Sequence, residues 1–156
     1  MIETDLLKSC IEEEQTLQFH SFSREDALHL GLLLYKKSKA YKKPVAVEIY
    51  MNNLCVFRYY PEGTNANNEK WLRVKNNTVQ MTETSSLHLF AYLEATKESL
   101  EEHLMDSANY TRFGGGFPIN IIGTGCIGSI CVSGLVHIQD HNLIVLALRE
   151  FLSQKS

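Results

Sequence analysis

The sequence predicts an α+β domain built on an antiparallel sheet, with helices before, between and after about five strands. Segments rich in β-branched and aromatic residues occur in two pairs, each joined by a short turn, which is typical of β-hairpins. Segments with apolar residues at every third or fourth position separate these pairs and predict amphipathic helices. The length of 156 residues suits one domain, residues 1–156, with a single hydrophobic core.

The first elements are predicted to be a helix, a short strand and a second helix. Apolar residues at helical spacing predict the first helix over residues 4–14. Alternating apolar and polar residues predict a strand over residues 16–20. Ser23 followed by Asp26 resembles a capping box and starts the second helix, which should end near residues 37–40.

The clearest hairpin in the chain comes next. Residues 45–51 and 54–60 are both rich in β-branched and aromatic side chains. Asn52 and Asn53 lie between them, and asparagine tolerates the positive φ angles that a two-residue hairpin turn requires. The two segments are therefore predicted to pair directly.

Two more helices are predicted in the middle of the chain. Asn65 or Asn68 can cap the third helix, because an asparagine side chain accepts a hydrogen bond from an unpaired amide of the first turn. The Ser85-Ser86 pair is the cap candidate for the fourth helix, which carries a core-facing apolar side. A surface turn over residues 97–103 should follow it.

A second hairpin and a final helix complete the predicted fold. Residues 117–122 and 127–133 flank a turn at residues 123–126, and both strands are apolar on consecutive positions, so both of their faces should be covered. Asp140 is the predicted cap of the last helix. This helix is apolar almost all round its first turns, which suggests a second contact, with another subunit.

The composition is that of a soluble globular protein. Hydrophobic residues make up 44 % and charged residues 21 % of the chain, and the net charge of −3 argues against a nucleic-acid partner. The four cysteines form no Cys-x-x-Cys pair, which is typical of reduced thiols in the cytoplasm. We expect no secretory leader, because the first residues have neither a basic n-region nor an apolar h-region, and no run approaches the ~20 apolar residues of a membrane span. We therefore expect a cytoplasmic protein that binds no membrane.

The candidate site is a glycine-rich segment over residues 110–141, which carries little charge and holds seven of the nine glycines. A triple glycine lets a backbone approach a ligand or another strand closely. The N-terminus of the last helix offers partial positive charge and backbone amides to an anionic group. The predicted pocket residues are Gly114, Gly115, Gly116 and Phe117 at its floor and Ser133, Gly134, Asp140 and His141 at its rim.

Three residues of the third helix are further candidates for a pocket or a subunit interface. Trp71 and Lys75 share one helical face with Asn68. The alternative for Trp71 is a place in the core, which is the commoner location of a tryptophan at helical spacing.

The histidines near the last helix do not predict a metal site. His137 and His141 stand four residues apart, which on a helix would put both imidazoles on one face. His137, however, precedes the predicted helix start at Asp140, so the helical geometry does not apply to it. The alternative to a pocket role is that Asp140 caps the helix and His141 is a hydrogen-bonded residue of its first turn.

A set of spaced motifs gives the chain a family resemblance. In chain order these are Gly63-Thr64, Asn68, Trp71, Lys75, Ser85-Ser86, Gly114-Gly115-Gly116-Phe117-Pro118-Ile119, Gly128, Val132-Ser133-Gly134 and Asp140-His141. With this order and spacing the sequence resembles the UPF0303 family, a branch of the haem-degrading-domain superfamily (DUF336, GlcG-like and HbpS-like), from about residue 23 to the C-terminus. The resemblance implies a profilin-like fold: a five-stranded antiparallel sheet with helices on both faces. It also implies assembly into a homodimer or larger oligomer.

One position departs from the family pattern. The family usually has a histidine directly before the triple glycine, and this chain has Phe113. If the histidine is a haem or metal ligand in relatives, that role is vacant here; if it is a packing residue, Phe113 replaces it. Haem is a cofactor of relatives in the wider superfamily, and we expect this chain to bind it weakly or not at all, with His141 as the best axial candidate.

Three functional hypotheses follow from the sequence. The first is a small-molecule binding module whose pocket takes a small anionic ligand. The second is an oligomeric interaction or assembly protein without a ligand, in which the same glycine-rich hairpin packs subunits together. The third is a weak haem-binding or haem-degrading protein. No pair of titratable groups at a telling spacing supports an enzyme, so no catalytic residue and no metal ligand is predicted.

Overall fold

The computed structural model describes residues 4–155, so residues 1–3 and 156 of the predicted domain lie outside the described part. The secondary-structure elements are, in chain order, α1 (Asp5–Thr16), α2 (Arg24–Ser38), β1 (Ala46–Met51), β2 (Leu54–Tyr59), α3 (Ala66–Thr82), α4 (Ser86–Thr96), a 3-10 turn (Glu101–His103), β3 (Gly116–Ile121), β4 (Gly125–Ser133) and α5 (His137–Lys155). This composition confirms the α+β class.

The sheet has four antiparallel strands in the order β2-β1-β4-β3. Each predicted hairpin forms, and the two hairpins join through β1 and β4 at the centre of the sheet. The turn between β1 and β2 is the predicted one, since Asn52 has φ 50° and Asn53 has φ 69°. The interpretation of both asparagines as turn residues is confirmed.

The predicted fifth strand, over residues 16–20, is reduced to a single bridge among the described residues. Phe19 pairs with Ile121 in parallel, through hydrogen bonds to Asn120 and Ile122 at the edge of β3. The reason is that α1 runs on through Thr16 and ends on Leu17. Few residues then separate it from the start of α2, so no longer ladder can form.

Helices cover both faces of the sheet. On one face α2 and α5 pack against inward-facing side chains of β1 and β4, including Val47 and Ile130, and build the main core. On the other face α3 packs through Leu72 against Ala46 and Cys131. Helices α1 and α4 contact each other, and α4 also contacts β3 and α5. Strand β3 is therefore contacted by three helices, α3, α4 and α5.

The predicted helix caps are confirmed for three helices. Ser23 forms a capping box with Asp26 at α2, and Asn65 forms one with Asn68 at α3. The Ser85 side chain accepts a hydrogen bond from the amide of His88 at α4. These polar side chains satisfy amides that have no partner within the helix.

The predicted start of the last helix is wrong by three residues. Helix α5 begins at His137, so Asp140 lies inside the first turn and is not its cap. The Asp140 carboxylate instead accepts a hydrogen bond from the amide of Leu135, which precedes the helix, at 3.1 Å. His137 is therefore a helical residue.

The apolar surface of α5 is largely covered within the chain itself. Leu143, Ile144, Val145 and Leu148 are all buried, whereas Leu146 is half exposed. Among residues 4–155, none of the helices combines the length and hydropathy needed to cross a membrane.

Candidate functional site

A buried ion pair lies at the junction of α3, β4 and α5. The Lys75 ammonium is 3.1 Å from Asp140 Oδ2 and donates a hydrogen bond to the carbonyl of Val132 at 2.8 Å. The two side chains are only 4 % and 2 % exposed. Burial raises the pKa of the Asp140 carboxyl, and the Lys75 ammonium and the amides of Leu135 and Gly134 oppose that rise.

The triple glycine makes room for this ion pair. A Cβ on Gly115 would lie 2.6 Å from Lys75 Nζ and 2.8 Å from the Val132 carbonyl oxygen, and its φ of +119° favours glycine. A Cβ on Gly114 would lie 2.7 Å from the backbone oxygen of His137. The glycines thus allow the strand to pack closely against the surrounding helices. They are not among the residues that line the neighbouring cleft.

A polar cleft of about 380 Å³ opens beside the ion pair. Its walls come from the first three turns of α3, the first turn of α5, the end of β4 and the connections that precede β3 and α5. The lining residues are Asn67, Asn68, Trp71, Lys75, Phe113, Ser133, Gly134, Leu135, His137 and Asp140. The Asn68 side-chain amide donates to the Ser133 hydroxyl at 3.2 Å, which leaves the proton of that hydroxyl to be donated elsewhere.

The protonation of His137 follows from its hydrogen bond. The backbone amide of Gly114 donates to His137 Nδ1 at 2.9 Å, so the proton of the neutral ring is on Nε2. Burial lowers the pKa of His137, and the nearby Lys75 and His141 lower it further. At neutral pH the ring is therefore uncharged, and its Nε2–H is a hydrogen-bond donor.

A second, more apolar cleft of about 360 Å³ continues from the first. Trp71 and Phe113 line both, are 38 % and 40 % exposed, and meet edge to face with ring centroids 6.0 Å apart. The core interpretation of Trp71 is thus wrong. The charged side chains that line the second cleft are all cationic, namely Lys70, Arg73 and Arg112.

The structure places His141 away from both clefts. Its Nε2 is 2.7 Å from Glu13 Oε1, so the ring faces α1, and the residue is 1 % exposed. His141 is hydrogen-bonded, as the alternative to a pocket role proposes, but its partner comes from the first helix and Asp140 does not cap α5. Phe117 is buried in the main core.

The sequence-predicted residues therefore fall into two groups. Ser133, Gly134 and Asp140 share the polar cleft with Asn68, Trp71 and Lys75. Gly114, Gly115, Gly116, Phe117 and His141 are not among its lining residues.

Sequence reasoning missed three lining residues, Asn67, Phe113 and His137. Asn67 precedes Trp71 by one helical turn, a spacing that could have revealed it. His137 was missed because the predicted start of α5 lay three residues too late.

Comparisons with known proteins give a consistent result. The family model of the haem-degrading protein HbpS-like family matches residues 22–149. A UPF0303 protein of Rhizobium rhizogenes is 38 % identical over 147 residues, which cover 94 % of this chain and 90 % of that protein. The crystal structure of the Ybr137w protein superposes with a TM-score of 0.89 at 25 % identity and covers 98 % of this chain and 91 % of that one.

A haem complex is among the similar solved structures. The PduOC:haem complex superposes with a TM-score of 0.70 at 20 % identity, covering 83 % of this chain and 94 % of that one, and this likeness concerns the fold alone. The family match and the R. rhizogenes relative are sufficient for an assignment. The chain belongs to the HbpS-like haem-degrading protein family, and the relatives that it matches there are UPF0303 proteins.

Proposed function

We propose that the protein is a binding module for a small amphipathic molecule that carries an anionic group. The observation that carries this proposal is the pairing of a polar cleft rich in hydrogen-bond donors with an apolar cleft whose charged residues are all cationic. Trp71 and Phe113 belong to both clefts, so one ligand can occupy the two together. Concave sites with an apolar body and a few placed polar groups are typical of small-molecule binding.

The polar end offers donors to a ligand. His137 presents Nε2–H because Gly114 occupies its other nitrogen. Ser133 retains its hydroxyl proton, and the Lys75 ammonium has three protons, of which Val132 and Asp140 take two. A carboxylate or another acceptor-rich group is the chemical complement of this set.

The apolar end offers aromatic surface and positive charge. Trp71 and Phe113 present half-exposed ring faces and edges on which an apolar or aromatic body can pack. Lys70 and Arg73 add positive potential around that surface, whereas Arg112 forms an ion pair with Glu94. An amphipathic anion therefore suits this end better than a neutral or cationic molecule of the same size.

Haem does not fit the histidines of α5. An axial ligand needs an imidazole nitrogen with an available lone pair. At His137 the lone pair of Nδ1 already accepts from Gly114, and Nε2 carries the proton. His141 is excluded by access instead, because its ring is buried against Glu13 of α1 and leaves no room for a porphyrin beside it. The position before the triple glycine holds Phe113, so it offers no histidine as an alternative axial ligand. We therefore expect haem to associate only through the apolar cleft.

The test uses Trp71, which is the only tryptophan of the chain. Binding of 1-anilinonaphthalene-8-sulfonate, an aromatic anion, should quench its fluorescence and saturate at one equivalent. N-phenyl-1-naphthylamine lacks the sulfonate and serves as the matched probe. It should bind at least about tenfold more weakly, because one charge-assisted hydrogen bond contributes roughly 1.5–3 kcal/mol.

Variants locate the binding site. Phe113→Ala should weaken binding of the sulfonate probe, whereas Leu32→Ala should not, because Leu32 is a half-exposed apolar residue of α2 outside both clefts. Equal affinity for the two probes, or an equal loss of affinity for the sulfonate probe in the two variants, would contradict the proposal. That result would favour the alternative of an interaction protein without a ligand.

We also infer that copies of the chain associate with one another. Leu28 and Leu32 stand one turn apart on α2 and are 42 % and 51 % exposed, and Leu146 of α5 is 50 % exposed. Exposed apolar side chains at helical spacing are typical of helix-mediated subunit contacts.

A further inference from the structure

A cluster of potential metal ligands lies between α1 and α5, apart from the clefts. Cys10 and Glu13 stand three residues apart on α1, a spacing that places both on one helical face. His141 of α5 faces them. One ligand atom from each of the three residues lies within 4.8 Å of the other two.

The cluster is buried and incompletely satisfied. Cys10 and His141 are almost fully buried. His141 Nε2 contacts Glu13, and its Nδ1 has no hydrogen-bond partner anywhere in residues 4–155. Buried polar nitrogens of native proteins nearly always have a partner, so the His141 ring is incompletely satisfied in this arrangement.

The charge around the cluster favours a bound cation. Burial raises the pKa of the Cys10 thiol to about 12, and the negative charges of Glu13 and Glu14 contribute to the rise. The carboxylate of Glu14 lies 3.0 Å from His88 Nδ1. The two carboxylates that add to this rise would also attract a metal ion to the sulfur in place of its proton.

A route to the cluster exists. Glu13 is only partly buried, and it borders a surface depression of about 120 Å³ that Ser9, Glu12, Thr16 and Arg149 also line. An ion and a coordinated water can therefore reach the carboxylate from solvent.

We propose that Cys10, Glu13 and His141 form a binding site for a divalent transition-metal ion, with Zn²⁺ as the ion that the ligands suit best. Thiolate, imidazole and carboxylate are all zinc ligands, and three protein ligands leave a fourth position to water. On binding, the Cys10 sulfur loses its proton to solvent and forms the metal–sulfur bond. A tetrahedral ion keeps its ligand atoms roughly 3.3–3.8 Å apart, so side-chain shifts of about 1 Å complete the site.

This proposal is independent of the proposed function. Two of the three cluster residues are on α1, and no residue of the cluster lines either cleft. Either proposal can fail while the other stands, because the cobalt titration below measures no cleft ligand.

The experiment titrates the reduced, chelator-treated full chain with Co²⁺, a spectroscopic substitute for Zn²⁺. We expect one equivalent to produce a near-ultraviolet thiolate-to-cobalt charge-transfer band, with release of one proton, and Zn²⁺ to displace the cobalt. Cys10→Ser should abolish the band. Cys126→Ser, which changes a half-buried thiol on β4, is the matched control and should leave it unchanged.

A second variant covers the case in which Cys10→Ser fails to fold. Glu13→Gln lies at a partly exposed helical position and should weaken Co²⁺ binding at least about tenfold, the smallest loss that even an outer-shell partner typically causes. The absence of a thiolate band in the folded wild-type protein, or a band that persists in Cys10→Ser, would overturn the proposal. Unchanged affinity in Glu13→Gln would overturn it as well.

Discussion

At the scale of single residues, Gly115 shows what the glycine-rich segment contributes. Its backbone stands where any Cβ would collide with the Lys75 ammonium and with the Val132 carbonyl. The sequence identified the triple glycine as a close-approach motif, but the partner in that approach comes from α3. Lys75 precedes Gly115 by about forty positions, and a local sequence pattern cannot pair residues that far apart. Only folding brings such long-range contacts together.

Gly115→Ala should destabilise the protein by about 2–4 kcal/mol, since it combines overpacking with an unfavourable backbone angle. Gly123→Ala is the matched control, because Gly123 also has a positive φ, +81°, but a Cβ there would meet no atom within 4 Å. Gly123→Ala should lower the free energy of unfolding by only about 1–2 kcal/mol, which is the strain of a non-glycine residue in the left-handed conformation. Urea denaturation of both variants measures the difference, and equal losses would show that Gly115 is not in contact with the ion pair.

His137 is the residue whose role the sequence left open. Its spacing from His141 raised the hypothesis of a metal-binding histidine pair, and the predicted helix boundary argued against that hypothesis. In the structure both residues are on α5, yet Gly114 holds one ring and Glu13 contacts the other. Their hydrogen-bond partners, which lie far away in sequence, decide what each imidazole can do.

At the scale of elements, the start of α5 depends on an interaction that no local signal shows. Aspartate before an apolar helix predicts a cap, and this reasoning succeeded for Ser23, Asn65 and Ser85. It failed for Asp140 because one carboxylate oxygen bonds Lys75 and the other bonds the Leu135 amide. The ion pair thus fixes α5 to α3 and holds the loop that lines the cleft.

Lys75→Met should destabilise the protein by about 3–5 kcal/mol, because it leaves the Asp140 carboxylate buried without its cation. The double variant Lys75→Met with Asp140→Asn should recover part of this loss, since the amide oxygen can still accept from Leu135. Lys37→Met, which breaks the more exposed pair with Glu150, is the control and should lose little. Thermal or urea unfolding measures all three. A double variant no more stable than Lys75→Met alone would contradict the assigned role of the pair.

At the scale of the whole molecule, the α+β class, both hairpins and the helix order were accessible from periodicity and turn chemistry. The fifth strand was not, because its length depends on where α1 ends. The apolar turns of α5 predicted a subunit contact, yet most of them fill the core of their own chain. Periodicity shows that a face is covered and does not show by what.

The prediction of self-association rests on the exposed leucines of α2 and α5. Light scattering at micromolar concentration should show a homodimer or a larger assembly. Leu32→Glu should shift it toward the monomer, because a charge in an apolar contact is unfavourable. Thr124→Glu, in the turn between β3 and β4, is the control. A wild-type mass of 17.8 kDa, that of one chain, would contradict the prediction.

We propose that the cleft beside the ion pair presents fixed donors to an anionic ligand. The most direct measurement is the protonation pattern of His137, from long-range proton–nitrogen correlation spectra of isotope-labelled protein at pH 7, with His137→Phe to assign the signals. We expect a neutral ring with its proton on Nε2, and a shift of the Nε2 signal when 1-anilinonaphthalene-8-sulfonate is added. A proton on Nδ1, or an Nε2 signal that the bound probe leaves unchanged, would contradict it.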